Sequence, residues 1–447
     1  MQETLKVEDR RDADILGRAK RLSQVQSLEE VTALSKALFP GSHCPLFGAM
    51  LLIQRIQGAA CLIVGTDECT YYAKSAAMSA GRLGKMAESC YSLVLSQTDI
   101  SFGSGEKLKQ AVQEILQEDG IRILFVISTC LVELIGDDFD SLCQALEEEM
   151  GAKIPVVHTE HFRSENHLQG MEATLLACLS LMEETERTLS VNILGPRHED
   201  FSKSELAECL QTIGLPISLT LPSEAGLEEI RKAPQASLNL VTDRIGLPLA
   251  RAMRDRFKIP YLYFDRFVHP ETIERAYRSL FQSILKEETR RQMEGWLKEK
   301  KEAFEEVYER VREKIQGYSY IYGNSPLLQM ELNAYLCELG MEPKLIQLSQ
   351  WGEGDDKNRE KILEYADPYL SKNANISPLQ AVYDQLQPDF YFGHEFFERL
   401  LQKGIVQAAM DRLGRSYGFQ LSVDLLCFLE DCIDLRKKYF GGKHGGY

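Results

Sequence analysis

The stretch that most constrains the fold is IRILFVISTCLVELIGDD, residues 121–138. Its first half is an apolar, β-branched run of strand length, and such runs are typical of strands buried on both faces of a parallel sheet. The residues from Leu131 onward predict a loop that leads into a helix over residues 139–151. Cys130 therefore lies where a buried strand ends. In open α/β sheets, ligands bind at that carboxyl edge.

The alternation of strand and helix patterns continues along the chain. Between residues 41 and 184, the strand-like runs CLIVG, SLVLS, ILFVIST and IPVVHTE alternate with helical segments. A second unit starts at VNILG, and a third starts at SYIYG after one long, exposed, charged helix predicted over residues 286–316. This pattern predicts an α/β fold of three doubly wound parallel-sheet domains.

The length of the chain, 447 residues, exceeds what one hydrophobic core usually serves. The charged start of the chain indicates helices packed outside the sheets. The predicted domains are an N-terminal helical extension (1–40), an α/β domain with three candidate cysteines (41–188), a second α/β domain ending in the long helix (189–317), and a third α/β domain with C-terminal helices (318–447).

Three cysteines occupy comparable places at predicted loops. Cys44 precedes a helix with Pro45 in its first turn, Cys69 follows the strand CLIVG through the loop TDE, and Cys130 ends the next buried run. Soft thiolate ligands suit iron, so three thiols from three loops of one sheet form a candidate iron–sulfur site. The wide spacing leaves the alternative open that they are small buried hydrophobes, as expected for the remaining cysteines.

Three thiolates are an incomplete ligand set for a four-iron cluster. A further ligand would come from elsewhere in the chain, from solvent or from another subunit. Asp67 and Glu68 adjoin Cys69 and are candidate oxygen ligands, although exposed loop carboxylates are more often merely solvated.

The histidines give weaker signals. His158, His161 and His167 cluster after the strand IPVV, but their spacing matches no zinc pattern, and surface or supporting roles are favoured. His394 lies between a strand and a helix, where it could act as a donor to a bound substrate or have no functional role. No GxxxxGK[ST] motif occurs, so the chain is not expected to hydrolyse ATP.

The formal net charge of −16 argues against binding to nucleic acid or to an anionic membrane. No apolar run reaches the roughly 18 residues of a membrane span, and the start of the chain is too charged for a secretory signal. We therefore expect a cytoplasmic protein with reduced thiols.

Several segments resemble component 1 of nitrogenase and its relatives, which include molybdenum–iron protein subunits, cofactor-assembly scaffolds and tetrapyrrole reductases. The likeness covers residues 38–400 and is most specific at the three cysteines. It is carried in order by CPLFGAMLLIQRIQGAACLIVGTDECTYY, SQTDISFGSGEKLKQAV, ISTCLVELIGDDF, IPVVHTEHFRSENHLQG, KIPYLYFDRFVHPETIE, YGNSPLLQ and PDFYFGH.

The resemblance implies that Cys44, Cys69 and Cys130 hold one side of an interfacial iron–sulfur cluster, either [4Fe-4S] or a P-cluster-like [8Fe-7S] group. It also implies a partner, which is a homologous α-like component 1 subunit or a second copy of this chain, within an oxygen-sensitive heterotetramer. An ATP-dependent iron protein would deliver electrons to that complex. The cysteine spacing looks more like the β-type subunit than the α-type.

The chain departs from the α-type pattern near Thr242, where the resemblance leads one to expect a cofactor-binding cysteine and none is present. The first functional hypothesis is therefore a β-like subunit of a nitrogenase-like reductase that relays low-potential electrons. A noncatalytic scaffold for metallocofactor assembly and a tetrapyrrole reductase component are the alternatives. A binding protein with purely structural thiols remains the simplest competing interpretation.

Overall fold

The structure is a computed structural model, and it describes residues 15–34, 44–78, 86, 88–118, 121–160, 166–197, 201–223, 225–284, 286–372 and 376–441. Within these residues, every strand pair of the three sheets runs parallel. The predicted α/β class with parallel sheets is confirmed.

The first sheet has the order β2-β1-β3-β4. Its strands are β1 (Ala59–Gly65), β2 (Cys90–Val94), β3 (Ile123–Ser128) and β4 (Val156–His158). The associated helices are α1 (Pro45–Ile53), α2 (Asp67–Met78), α3 (Gln97–Phe102), α4 (Gly105–Ile115), α5 (Cys130–Ile135), α6 (Phe139–Met150) and α7 (Leu168–Ala177).

Helices cover both faces of the first sheet, as the strand sequences require. Alternate residues of β1 point to opposite faces: Cys61 and Ile63 pack with α1, α2 and α7, whereas Leu62 and Val64 pack with α4 and α6. Every residue of β3 is buried. This double coverage explains why β1 and β3 are continuous apolar runs rather than alternating ones.

The second sheet has the order β6-β5-β7-β8. Its strands are β5 (Thr188–Leu194), β6 (Ile217–Leu221), β7 (Ala236–Val241) and β8 (Tyr261–Tyr263), and its part of the chain contains α8 (Glu205–Thr212), α9 (Leu227–Arg231) and α10 (Leu247–Phe257).

The third sheet has the order β11-β10-β9-β12-β13. It follows α11 (Pro270–Ile284) and α12 (Glu287–Ile315), and its elements are β9 (Ser319–Tyr322), α13 (Gln329–Glu338), β10 (Glu342–Gln347), α14 (Asp355–Tyr365), β11 (Tyr369–Ser371), α15 (Ile376–Leu386), β12 (Phe390–Phe392), α16 (Phe397–Gln402), β13 (Val406–Ala408) and α17 (Phe419–Phe440).

The helical N-terminal extension is present in the described residues as three short 3-10 helices, Leu16–Arg18, Leu22–Gln24 and Leu28–Glu30. It lies along the edge strand β11, where the guanidinium carbon of Arg21 stands 3.6 Å from the centre of the Tyr369 ring. Further 3-10 helices are Cys178–Leu181, Phe201–Lys203, Ala233–Gln235, Arg244–Gly246 and Asp411–Arg415.

The chain divides into two compact units. One contains the first two sheets, from the described residues of Ser42–Phe201 and Cys209–Asp265. The other contains the third sheet, helices α11 and α12, the N-terminal extension and the short segment Ser202–Glu208. The domain limits inferred from the sequence stay a prediction.

Local expectations differ from the structure at three places. Helix α5 begins at Cys130 where a loop was expected, and α2 begins at Asp67, so that Cys69 lies in a first helical turn rather than in a loop. The long helix is present as α12, but it is not exposed all round, because one stripe that includes Leu297 and Val311 is buried.

No described helix combines the length and the apolar character needed to cross a membrane.

Candidate metallocluster site

The carboxyl edge of the first sheet brings together the elements that carry the three candidate cysteines. Strands β1 and β3 are direct neighbours, although β2 lies between them in the chain. The strand order therefore reverses between them, and a crevice outside the carboxyl ends of the strands is expected at such a point. Cys69 follows β1 and Cys130 follows β3, so these two thiols flank the crevice.

Cys44 reaches the same region through a close contact between two helices. It is the N-cap residue of α1, and α1 lies directly against α7. A Cβ atom on Gly48 would stand 1.8 Å from the carbonyl oxygen of His167, and one on Gly170 would stand 1.8 Å from that of Pro45. Only glycine permits so close an approach of two backbones. These two glycines therefore fix the position of Cys44.

Cys69 and Cys130 depend on a junction between the ends of β1 and β3. The hydroxyl of Thr129 donates to the carbonyl oxygen of Val64 at 2.9 Å, and the backbone N–H of Thr129 donates to the same oxygen at 3.1 Å. A Cβ on Gly65 would lie 2.1 Å from the Thr129 hydroxyl oxygen. Gly65 thus gives room for the threonine that locks the two strand ends together.

Cys69 and Cys130 lie close enough to Cys44 to act electrostatically on its thiol. Burial raises the pKa of the Cys44 thiol, backbone N–H groups of Phe47 and Leu46 lower it, and the nearby Cys69 and Cys130 raise it again. The phenol of Tyr72 adjoins the site, where burial and then Cys44 raise its pKa to about 12. All three cysteines are half-buried. The fold therefore brings Cys44, Cys69 and Cys130 together.

The chemistry of this donor set fits a thiolate-bound cluster better than a single ion. Among the described residues, no three His, Cys, Asp or Glu side chains are placed to hold one metal ion. An iron–sulfur cluster binds each thiolate at a different iron atom, so its ligands need not converge on one point. Three half-buried thiols at the starts of α1, α2 and α5 are compatible with ligation of this kind.

The other predicted residues are placed differently. Asp67 and Glu68 open helix α2 with exposed side chains. His167 is the N-cap residue of α7, and its backbone carbonyl makes the close approach to Gly48. His161 lies outside the described residues. His394 is half-exposed and pairs with Asp411 at 2.9 Å on the third sheet.

A histidine–carboxylate group lies next to Cys130, and the acidic partners of His158 in it were not identified from the sequence. The Nδ1 of His158 lies 2.8 Å from Glu133 Oε1, and its Nε2 lies 3.1 Å from Asp140 Oδ2. Glu133 is the main cause of the raised pKa of His158. The hydroxyl of Ser128 also donates to Glu133. This network holds α5, and with it Cys130, against the ends of β3 and β4. The sequence signal that could have revealed this group is the pair of acidic residues after Cys130, Glu133 on α5 and Asp140 on α6.

The region around Thr242 contains charged groups instead of a thiol. Thr242 and Asp243 are buried after β7, and Arg197, after β5, donates from Nε to Asp243 Oδ2 at 2.5 Å. Glu172 of α7 lies near Asp243, and burial followed by that carboxylate raises its pKa to about 7.

Comparison with known proteins gives one consistent result. The profile of the "Nitrogenase component 1 type Oxidoreductase" family matches residues 44–418. The nitrogenase iron-molybdenum cofactor biosynthesis protein NifE of Clostridium pasteurianum is 27% identical over 322 residues, which are 70% of this chain and 69% of that protein. The nitrogenase molybdenum-iron protein alpha chain of Methanosarcina barkeri is 26% identical over 66% of this chain and 55% of its own length.

A solved structure described as nitrogenase Cp1 at pH 6.5 has a similar fold. It superposes with a TM-score of 0.73 over 92% of this chain and 97% of that chain, at 15% sequence identity.

Proposed function

Since the chain belongs to the nitrogenase component 1 type oxidoreductase family, we propose that it is a subunit of a component 1 type complex in which Cys44, Cys69 and Cys130 hold one side of an iron–sulfur cluster. The observation that carries this proposal is the convergence of three half-buried thiols at the crevice between β1 and β3. Such a cluster supplies one-electron transfer at low potential.

The residues of this chain would act by positioning and by shielding. The Gly48 and Gly170 contacts set the Cys44 thiol, and the Thr129 junction sets the other two. Backbone N–H groups of Leu46 and Phe47 donate to the Cys44 sulfur, which favours negative charge there. The rings of Phe47 and Tyr72, whose centres are 6.5 Å apart, would shield one side of the site from water.

Exposed apolar side chains support a partner subunit at this edge. Tyr71, two residues after Cys69, is 72% exposed, and Leu134, four residues after Cys130, is 71% exposed. Large apolar groups exposed beside a functional site are typical of protein–protein contacts. The partner would contribute the remaining ligands of a shared cluster, [4Fe-4S] or [8Fe-7S]. It is a homologous component 1 subunit or a second copy of this chain.

Within this family we propose a role in assembling a metallocofactor. The support is that NifE proteins, whose name describes cofactor biosynthesis, are among the similar proteins over about two thirds or more of the chain. On this proposal the chain carries no turnover of its own, and iron held by the complex passes to an acceptor protein.

A β-like electron-relay subunit is the second candidate. It is favoured by the retention of all three thiols, because a relay needs a bound cluster. An ATP-dependent iron protein would be its electron donor. Supplying iron protein, ATP and reductant separates the two candidates. Iron transferred to an acceptor without turnover favours assembly, whereas turnover dependent on ATP favours the relay.

The cluster itself is tested by anaerobic purification of the chain with its partner, followed by iron and sulfide analysis and EPR. Cys130→Ala should lose most of the iron and the low-potential signal. Cys143→Ala is the matched control, because Cys143 is a buried thiol of α6 on the opposite face of the sheet, and it should keep both. A folded complex with the wild-type iron content in Cys130→Ala would overturn the ligand assignment.

A further inference from the structure

A second pair of cysteines lies inside the first sheet, away from the three thiols at its edge. Cys61 of β1 and Cys90 of β2 are direct partners in the register of these parallel strands. Side chains at paired positions point to the same face of a sheet. Neighbouring strands stand about 4.8 Å apart, which falls within the range of Cα separations that a disulfide spans.

The two thiols touch but differ in environment. The S–H group of Cys61 donates to the sulfur of Cys90. That contact, with burial, raises the pKa of Cys61 well above its usual range, and the same contact lowers the pKa of Cys90. Cys61 is completely buried, whereas Cys90 is partly exposed at the start of the edge strand β2. A thiol that is both reachable and hydrogen-bonded is the better nucleophile of a pair.

We propose that Cys61 and Cys90 form a redox-sensitive dithiol that closes to a disulfide when the protein meets a small-molecule disulfide oxidant. Cys90 is the attacking thiol and Cys61 is the resolving thiol. The inference does not depend on the cluster, because neither residue belongs to the three-thiol site.

The chemistry balances as two successive exchanges. The Cys90 thiolate attacks one sulfur of the oxidant, forms a mixed disulfide and releases one thiolate. Cys61 then gives up its proton and attacks the Cys90 sulfur, which releases the second thiolate. The two protein thiols lose two electrons and two protons in total, and the oxidant becomes two thiol molecules.

Closure would link β2, which lies at the edge of the sheet among the described residues, to its neighbour β1. The loop between the two cysteines contains helix α2 and therefore Cys69. A cross-link that closes such a loop restricts the unfolded chain. The oxidised first sheet should therefore resist unfolding better than the reduced one, and a thiol reductant should reverse the effect. In a reducing compartment such a bond would be transient rather than structural.

The test treats the purified, partner-bound protein with glutathione disulfide, blocks the remaining thiols by alkylation, and maps the peptides by mass spectrometry. We expect a peptide pair joined through Cys61 and Cys90 in the wild type, together with an upward shift of several degrees in the unfolding midpoint that dithiothreitol reverses. Alkylation of both residues after the treatment, or glutathione retained on Cys90 of the wild type, would overturn the proposal.

Two variants distinguish the attacking from the resolving thiol. Cys61→Ser should leave a stable glutathione adduct on Cys90, whereas Cys90→Ser should leave Cys61 unmodified, because it is buried. Cys143→Ser is the control, since Cys143 packs on the opposite face of the first sheet from Cys61 and Cys90. Its cross-linking at Cys61 and Cys90 should match the wild type. Equal adduct formation on both residues in the single variants would contradict the assigned order. The wild-type peptide map shows whether Cys61 and Cys90 form a disulfide even if a variant folds poorly.

Discussion

Single residues decide how closely the elements of the first two sheets approach, and two of them make clear predictions. Glu172 is a carboxyl group whose burial is opposed by its own charge, and Gly170 is a backbone position that leaves no space for a side chain. Both lie on α7, the helix that supports Cys44. Changes at these positions should therefore affect both stability and the cysteine site.

The pKa of Glu172 is raised from 4.5 to about 7, first by burial and then by Asp243. A carboxyl group with a raised folded-state pKa stabilises the fold below its unfolded pKa, and that stability is lost as the pH rises through the folded value. The free energy of unfolding should thus fall between pH 4.5 and about pH 7. Glu172→Gln cannot ionise, so above pH 7 it should be more stable than the wild type by on the order of 2 kcal/mol.

Denaturant unfolding of Glu172→Gln and wild type at several pH values from 5 to 8 checks this expectation. The raised pKa of Glu172 sets this pH range. Glu184→Gln, at an exposed position, is the control and should follow the wild type. Curves for wild type and Glu172→Gln that stay parallel over this range would show that the residue is not a source of the pH dependence.

Gly170→Ala should push α1 away from α7, because the new methyl group would stand 1.8 Å from the Pro45 carbonyl oxygen. Overpacking of this kind typically costs about 1–3 kcal/mol. Gly295→Ala is the matched control, since Gly295 lies in α12 with open space around it, and alanine there should stabilise the helix by about 0.5–1 kcal/mol. Thermal unfolding measures both changes. A Gly170→Ala variant as stable as the wild type would refute the close contact.

At the scale of elements, the C-terminal helix α17 depends on one buried carboxylate. Glu205 accepts hydrogen bonds from the backbone N–H groups of Phe419 and Gln420, both at 2.9 Å, and from the Tyr277 hydroxyl at 2.7 Å. The first N–H groups of a helix have no partner within the helix. A distant acidic residue thus caps a 22-residue helix.

Glu205→Ala should leave buried donors at the start of α17 without this acceptor. Each unmatched buried donor costs about 1–3 kcal/mol, so we expect a loss of about 3 kcal/mol or more in chemical unfolding and faster hydrogen exchange at the start of the helix. Glu208→Ala, in the same helix α8, removes exposed contacts with Lys300 and Trp296 and should cost less than about 1 kcal/mol. Equal losses in the two variants would contradict the capping role.

At the scale of the whole molecule, the proposed cluster would link folding to assembly. A group that binds only the folded state stabilises it, and a group shared by two subunits also holds them together. Chelating the iron from the anaerobically purified complex should lower the unfolding temperature and shift the complex to smaller species in size-exclusion chromatography. Calorimetry and light scattering measure the two effects. An unchanged midpoint and mass after complete iron removal would argue against a shared cluster.

The strands were predictable because their signal is local. The apolar run at residues 121–130 contains β3, and CLIVG contains most of β1, since buried parallel strands must be apolar at every position. Helix α5 was missed because it is only six residues long. Its one strong local signal was Gly136, which ends the helix with a φ of 80° in the region that glycine favours.

The sequence by itself determined the parallel α/β class, the set of three candidate thiols and the family resemblance, because each depends on residue types at nearby positions or on recognisable motifs. Tertiary structure alone decided the strand order, which makes β1 and β3 neighbours and so brings Cys69 near Cys130. It also decided the pairing of Cys61 with Cys90 and the contact of His158 with Glu133. These contacts join residues far apart in the chain. They depend on how helices and strands pack, which the local pattern of apolar residues does not specify.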